Sequence, residues 1–233
     1  MNRDLDFSHF DWLSFDCYGT LIDWESGILG YLRPLLQSRS CYSSDAAILN
    51  LYSEFEPREQ SGAYRPYRDV HASVVRDFAR ELRFDVTEAE AAGLAASIRN
   101  WQPFPDTVAG LRRLHSRYKL AILSNIDDDL FAHSAQKLEA PFDCVVTAQQ
   151  VGSYKPSLRN FEALLDRLAI PRDRLLHVAE SPYHDVVPAQ SLDIATAWVN
   201  RRQGKAAGAS KLVDVRADVE VATIEELADV AGC

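Results

Sequence analysis

Four places in the chain hold side chains that together could run one reaction. Asp16 closes a short apolar run, Trp12 to Phe15, and is followed by Gly19 and Thr20. Ser124 and Asn125 close a second run, Lys119 to Leu123. Lys155 precedes Pro156 in a loop, and Glu180 and Asp185 follow a third run, Leu175 to Ala179. These are the parts that a carboxylate nucleophile needs. Asp16 would attack an electrophilic carbon or phosphorus and form an ester or acyl phosphate. Lys155 would hold the ionised carboxylate and offset charge between the acids. Thr20, Ser124 and Asn125 would donate hydrogen bonds to substrate oxygens. Asp185 or Glu180 would orient the water that releases the intermediate, or hold a hard cation through oxygen.

Each group alone also has a plainer reading. Asp16 suits a turn, Ser124 and Asn125 suit a helix cap, Lys155 before a proline suits a solvated turn, and Glu180 and Asp185 suit a loop. The elements that carry them favour the joint reading. From about residue 107 the chain alternates helix and strand: helix 107–117, strand 119–123, helix 128–138, strand 143–147, helix 158–168, strand 175–179, helix 187–191, strand 194–199. Strands apolar on both faces and separated by helices predict a mostly parallel α/β sheet covered on both sides. Right-handed crossovers then bring the carboxyl ends of the strands to one edge, where ligands of such sheets bind. A basic, glycine-containing loop from Asn200 to Lys211 follows, and then a tail with a last helix at 224–230.

Between the first strand and this alternation lies a stretch with helical periodicity throughout. Apolar spacing predicts helices from Ser26, taken as N-cap, over residues 28–36, then at 44–60, 67–83 and 87–99. Ser44 caps the second helix, and Thr87 with Glu90 forms a capping box. Pro57 predicts a kink or an early end to the second of these helices. The chain thus divides into a core of residues 1–23 and 101–233 and a helical insert of 24–100.

With 233 residues and 47% hydrophobic content, the chain can bury a sizeable core. A formal net charge of -9 argues against nucleic acid as a partner. The apolar runs are too short to span a membrane, and the N-terminus has no signal pattern. Cys17, Cys41, Cys144 and Cys233 show no metal-ligand spacing, and free thiols fit a cytoplasmic protein. Cys17 should face the core, on the side of the strand opposite its neighbour.

The sequence resembles the haloacid dehalogenase superfamily. The motifs that carry the resemblance are Asp16-Cys17-Tyr18-Gly19-Thr20-Leu21, Ser124-Asn125 after an apolar strand, Lys155-Pro156, and Glu180-Ser181-Pro182-Tyr183-His184-Asp185. It implies a Rossmann-like core with Asp16, Lys155 and Asp185 catalytic, and an α-helical cap inserted where residues 24–100 lie. Phosphatases of the superfamily have a second Asp two residues past the nucleophile, the proton donor for a leaving alcohol. Here that residue is Tyr18, as in the L-2-haloacid dehalogenases. That likeness implies displacement of halide from a small anionic organic substrate, a covalent ester on Asp16, hydrolysis to a 2-hydroxy acid, and no required metal. Tyr18, Thr20, Ser124 and Asn125 would bind substrate. A homodimer is common among relatives.

Two departures keep other readings open. Those dehalogenases carry an Arg in the first cap helix that contacts the departing halide, whereas Leu51 to Glu56 contains none, leaving Arg58, Arg65 or Arg68 as substitutes. Glu180 is closer to the phosphatase pattern, in which Asp16, Glu180 and Asp185 would hold magnesium. The alternatives are a magnesium-dependent phosphatase and a non-catalytic binding protein on the same fold. Trp24, Tyr52, Tyr67 and Arg68 are candidates to face the pocket, and His184 is a candidate proton carrier beside Asp185.

Overall fold

The structure is a computed structural model and describes residues 5–202 and 215–233. It is built around strand β1 (Trp12–Phe15), which is buried from Leu13 on. Strands β2 (Lys119–Ser124), β3 (Cys144–Thr147), β4 (Leu175–Ala179), β5 (Ala195–Val199) and β6 (Val219–Val221) complete one parallel sheet in the order β3-β2-β1-β4-β5-β6. The strand order reverses between β1 and β4, so the crevice beyond their carboxyl ends is the expected ligand position. Phe15 pairs with Ile122 on one side and Val178 on the other, which sets Asp16 one step beyond both neighbours.

The two sheet faces are covered by apolar side chains from helices. One layer includes Phe15, Leu111, Leu120, Ile122, Val178 and Leu227, and the other Leu123, Val146, Phe161, Leu164 and Leu175. The helices concerned include α5 (Thr107–His115), α6 (Asp128–Leu138), α8 (Leu158–Leu168), α9 (Val187–Ser191) and α10 (Ile224–Val230), with a single turn α7 (Ala148–Val151) after β3. The strand β6 lies inside the stretch read as a tail, and the loop expected from Asn200 to Lys211 lies outside the described residues beyond Arg202.

Five α-helices lie between β1 and β2; α5 packs on the sheet, and the four before it form the cap: α1 (Trp24–Ser38), α2 (Asp45–Gln60), α3 (Tyr67–Glu81) and α4 (Glu88–Ser97). The N-cap of α1 is Asp23 rather than Ser26: Asp23 Oδ1 accepts the Ser26 N–H at 3.2 Å, and a carboxylate also complements the helix N-terminus. Ser44 and the Thr87–Glu90 capping box stand where the sequence puts them. Pro57 does not end α2, which continues to Gln60 with Ile48, Leu49, Tyr52, Phe55 and Glu56 on its buried face. Phe55 meets Phe78 of α3 edge to face at 5.3 Å, and Trp24 meets Tyr52 likewise at 5.7 Å, an arrangement favoured by ring quadrupoles.

The candidate active site

After β1 the chain turns sharply. The Leu21 and Ile22 N–H groups both donate to Cys17 O, and Gly19 N–H donates to Ile22 O. Gly19 sits at φ +97°, and a Cβ there would approach Trp24 Nε1 to 3.0 Å, so glycine serves both the turn and the close approach of the indole. The turn brings Thr20 back under the strand end. Its hydroxyl donates to Asp16 Oδ2 at 2.9 Å and accepts the Glu180 N–H at 2.8 Å. Cys17 is wholly buried on the core side, and burial pushes its thiol well above the ordinary range, which removes it as a nucleophile.

Lys155 enters from the loop before α8 and is 2% exposed. Its backbone is pinned by Asn125, whose side chain accepts Lys155 N–H at 2.7 Å and donates to Lys155 O at 3.0 Å. The ammonium donates to Asp16 Oδ1 at 2.9 Å, Asp185 Oδ1 at 2.6 Å and Leu123 O at 2.9 Å. An ammonium has three N–H groups, and all three are committed here.

Asp185 lies on one wide helical turn, Pro182–Val186, which Ser181 caps by accepting the His184 N–H. His177, in the middle of β4, joins Asp185 Oδ1 at 2.9 Å through Nε2 and Ser14 Oγ at 2.8 Å through Nδ1. Nε2–H donating to Asp185 and the Ser14 hydroxyl donating to Nδ1 satisfy both contacts. Both described contacts of Asp185 fall on Oδ1, which leaves Oδ2 for a water.

Burial pushes the Asp16 carboxyl above its ordinary range; Lys155 pulls it down and the charge of Asp185 adds to the rise. Burial also opposes charge on Asp185, but Lys155 and His177 outweigh it and hold that carboxyl at about 2. Burial disfavours the Lys155 ammonium too, and Asp16 and Asp185 more than restore it. Asp185 therefore ionises first and Asp16 second, beside a permanent cation.

These groups border a cavity of about 40 Å³, against the roughly 10–15 Å³ one water needs. Its wall holds Asp16, Tyr18, Ser124, Asn125, Lys155 and Asp185, all expected from the sequence, with His184 and the cap residues Trp24 and Tyr67. Tyr52 is buried behind Tyr67 and joined to its hydroxyl at 3.2 Å. Arg68 faces Asp127 and Asp129 instead of the cavity. Arg58 pairs with Asp77 and Glu59, and Arg65 with Glu59, so none of the three arginines considered as substitutes borders the cavity.

Sequence reasoning missed Glu56, Ser181, His177 and Asp127. Glu56 is an acid on the buried stripe of α2, four residues after Tyr52, and that placement was its signal. Asp127 caps a cap helix from the core: Tyr67 N–H donates to its Oδ1 at 2.8 Å and Arg68 N–H to its Oδ2 at 3.1 Å. No local pattern announces such a long-range cap.

Asp16, Glu180 and Asp185 do not gather around a cation position among the described residues. The Lys155 ammonium occupies the point between Asp16 and Asp185, and Glu180 Oε1 lies 3.7 Å from Arg202 Nε. This donor set does not fit magnesium, and no step below passes through a metal.

A family model of haloacid dehalogenase-like hydrolases matches residues 10–193. The (S)-2-haloacid dehalogenase H-109 of Pseudomonas putida is 28% identical over 204 residues, covering 81% of this chain and 84% of that one. The pyrimidine 5'-nucleotidase YjjG of Escherichia coli (strain K12) is 24% identical, covering 82% and 86%. Among solved structures, the L-2-haloacid dehalogenase of Xanthobacter autotrophicus superposes with a TM-score of 0.81 at 19% identity, over 96% of this chain and 98% of that one, a likeness of fold. With the family model spanning the core motifs and the cap between them, the chain belongs to the haloacid dehalogenase-like hydrolases.

Proposed function

We propose that the protein hydrolyses a carbon–halogen bond at a carbon next to an acyl group, with Asp16 as the nucleophile, in the manner of the 2-haloacid dehalogenases it resembles. The observation that carries this reading is the pairing of an oriented carboxylate with the lack of a proton donor two residues on. Asp16 is fixed by Thr20 and Lys155, while the Tyr18 hydroxyl is bonded to Ser134 at 2.9 Å and burial pushes its phenol well above the ordinary range. A halide leaves without a proton; an alkoxide does not.

One Asp16 oxygen forms a bond to the carbon as the carbon–halogen pair departs with the halide. The product is an ester on Asp16 with inversion at carbon. Asp185, ionised and open at Oδ2, takes a proton from a water that then attacks the ester carbonyl. The ester C–O bond on the carboxyl side breaks as the departing 2-hydroxy oxygen takes the proton back from Asp185. The 2-hydroxy product leaves, and the Asp16 carboxyl, now holding the water's oxygen, gives its remaining proton to solvent to restore the carboxylate. Lys155 stays protonated and offsets charge throughout. The relative named as a nucleotidase keeps a phosphatase reading in view, but the position of Lys155 and of Glu180 does not support the metal site that reading needs.

The test is a single turnover in ¹⁸O water with 2-halogenated acids and amides, followed by mass analysis of the peptide holding Asp16. Incorporation of ¹⁸O into Asp16 together with halide release is expected. Release that persists in Asp16→Asn, or no release from any compound, rejects the proposal.

A further inference from the structure

The wall that α2 contributes to the nucleophile's cavity is a carboxyl, Glu56, only 6% exposed. Its Oε1 accepts from the Tyr67 hydroxyl at 3.2 Å and from the Gln60 amide. Both contacts fall on one oxygen, which leaves Oε2 for the cavity. Among the described residues no lysine or arginine pairs with Glu56. The one lysine in the wall, Lys155, has all three N–H groups committed to Asp16, Asp185 and Leu123. Among the described residues, a substrate carboxylate placed here would meet three carboxyl groups, the Ser124 hydroxyl and no uncommitted lysine or arginine N–H. Burying such a charge beside three carboxyl groups with no cationic partner is strongly unfavourable.

We propose that Glu56 sets the charge of the substrate, so that the site takes neutral 2-haloamides, whose N–H groups it can receive, in preference to 2-haloacids. This rests on the carbon–halogen reading above and deepens it. An amide both donates and accepts, so it satisfies the Glu56 carboxyl in either protonation state. A carboxylate is tolerated only when Glu56 carries a proton. Burial pushes Glu56 up to about 7, so that proton is lost near neutrality. The groups around it are Tyr67 on α3 and Gln60 on α2, with Asp16, Lys155, Asp185 and His184 across the cavity. The chemistry is unchanged: Asp16 displaces halide from the amide's α-carbon, and water releases a 2-hydroxyamide.

The experiment compares halide release from 2-chloropropionamide and (S)-2-chloropropionate at pH 8, with Asp16→Asn as the blank. The wild type should favour the amide by at least about tenfold in kcat/KM, Glu56→Gln should narrow that gap, and Glu56→Arg should reverse it. Faster release from the acid in the wild type overturns the inference and leaves the carbon–halogen reading standing. Should neither compound release halide, binding of lactamide and lactate to Asp16→Asn, measured by calorimetry, decides. Tighter binding of lactamide then keeps the role of Glu56 and rejects the carbon–halogen reading. Tighter binding of lactate, or binding of neither, overturns the inference as well.

Discussion

The carboxylate of Asp127, in the core, accepts the backbone N–H of Tyr67, the first residue of the cap helix α3, at 2.8 Å. Tyr67 also borders the cavity and donates to Glu56. One core residue therefore registers the cap against the nucleophile. Asp127→Ala removes this long-range N-cap and should lower stability by about 1–2 kcal/mol. It should also raise KM more than it lowers kcat, because the chemical groups stay in place. Asp127→Asn, which still accepts N–H groups, should restore most of both. Denaturant unfolding with steady-state kinetics on the three proteins checks this.

Asp16 and Lys155 are separable in their effects. Asp16→Asn keeps the hydrogen bonds of the strand end but lacks the nucleophile, and turnover should fall by on the order of 10³-fold or more with little change in fold. Lys155→Met leaves two buried carboxylates facing each other, and should cost about 3–5 kcal/mol of stability as well as activity. Thermal unfolding beside turnover distinguishes the two variants.

Turnover should depend on pH in one direction at its acid side. Asp16 must be ionised to attack, and burial holds its carboxyl above the ordinary range. Activity should therefore rise with pH along a limb displaced above that of a free aspartate. Asp185, held at about 2, is ionised throughout that limb. Ester formation in a single turnover, followed across pH 4 to 8, reads the limb directly; a limb at or below the ordinary aspartate range contradicts the site's electrostatics.

The cap should be most stable over a limited pH window, set by two buried groups of opposite behaviour. Burial pushes Glu56 from its ordinary 4.5 up to about 7, so the folded state holds its proton more tightly than the unfolded chain. That contribution is full below about 4.5 and is lost as pH rises through 7, an amount of roughly 3 kcal/mol. Burial lowers His71 from 6.5 to about 3, and its ring stays neutral against the Tyr52 hydroxyl at 3.0 Å. Its contribution is full above about 6.5 and is lost as pH falls towards 3, by roughly 4–5 kcal/mol. Melting temperature against pH should be flattened on the alkaline side in Glu56→Gln and on the acid side in His71→Gln.

The sequence made Asp16, Ser124 and Glu180 legible because each follows an apolar run, a pattern local to a few residues, while Lys155 stands in a loop before a helix and Asp185 a turn beyond its strand. Right-handed parallel topology brings these segments to one edge. The helices of the cap were legible through their caps and apolar spacing. What escaped was set by packing over distance. β6 has only three residues, too few for a periodicity, and pairs because β5 offers it an edge. Asn125 reads as a substrate donor, yet its amide clamps the backbone of Lys155 thirty positions on. Arg58, Arg65 and Arg68 read as anion ligands, yet acids of the cap and core already hold them.

The spacing of the site along the chain bears on how it comes into being. Asp16 and its partner Lys155 are 139 residues apart, and β1 gains its second neighbour only with β4. At usual rates of synthesis the ribosome takes on the order of ten seconds or more to travel from one to the other. During that interval Asp16 is an ordinary solvated acid at the head of an unfinished sheet. The Asp16–Lys155 pair forms only once the chain has been made past Lys155, so under the proposed mechanism fragments released earlier would carry no oriented carboxylate.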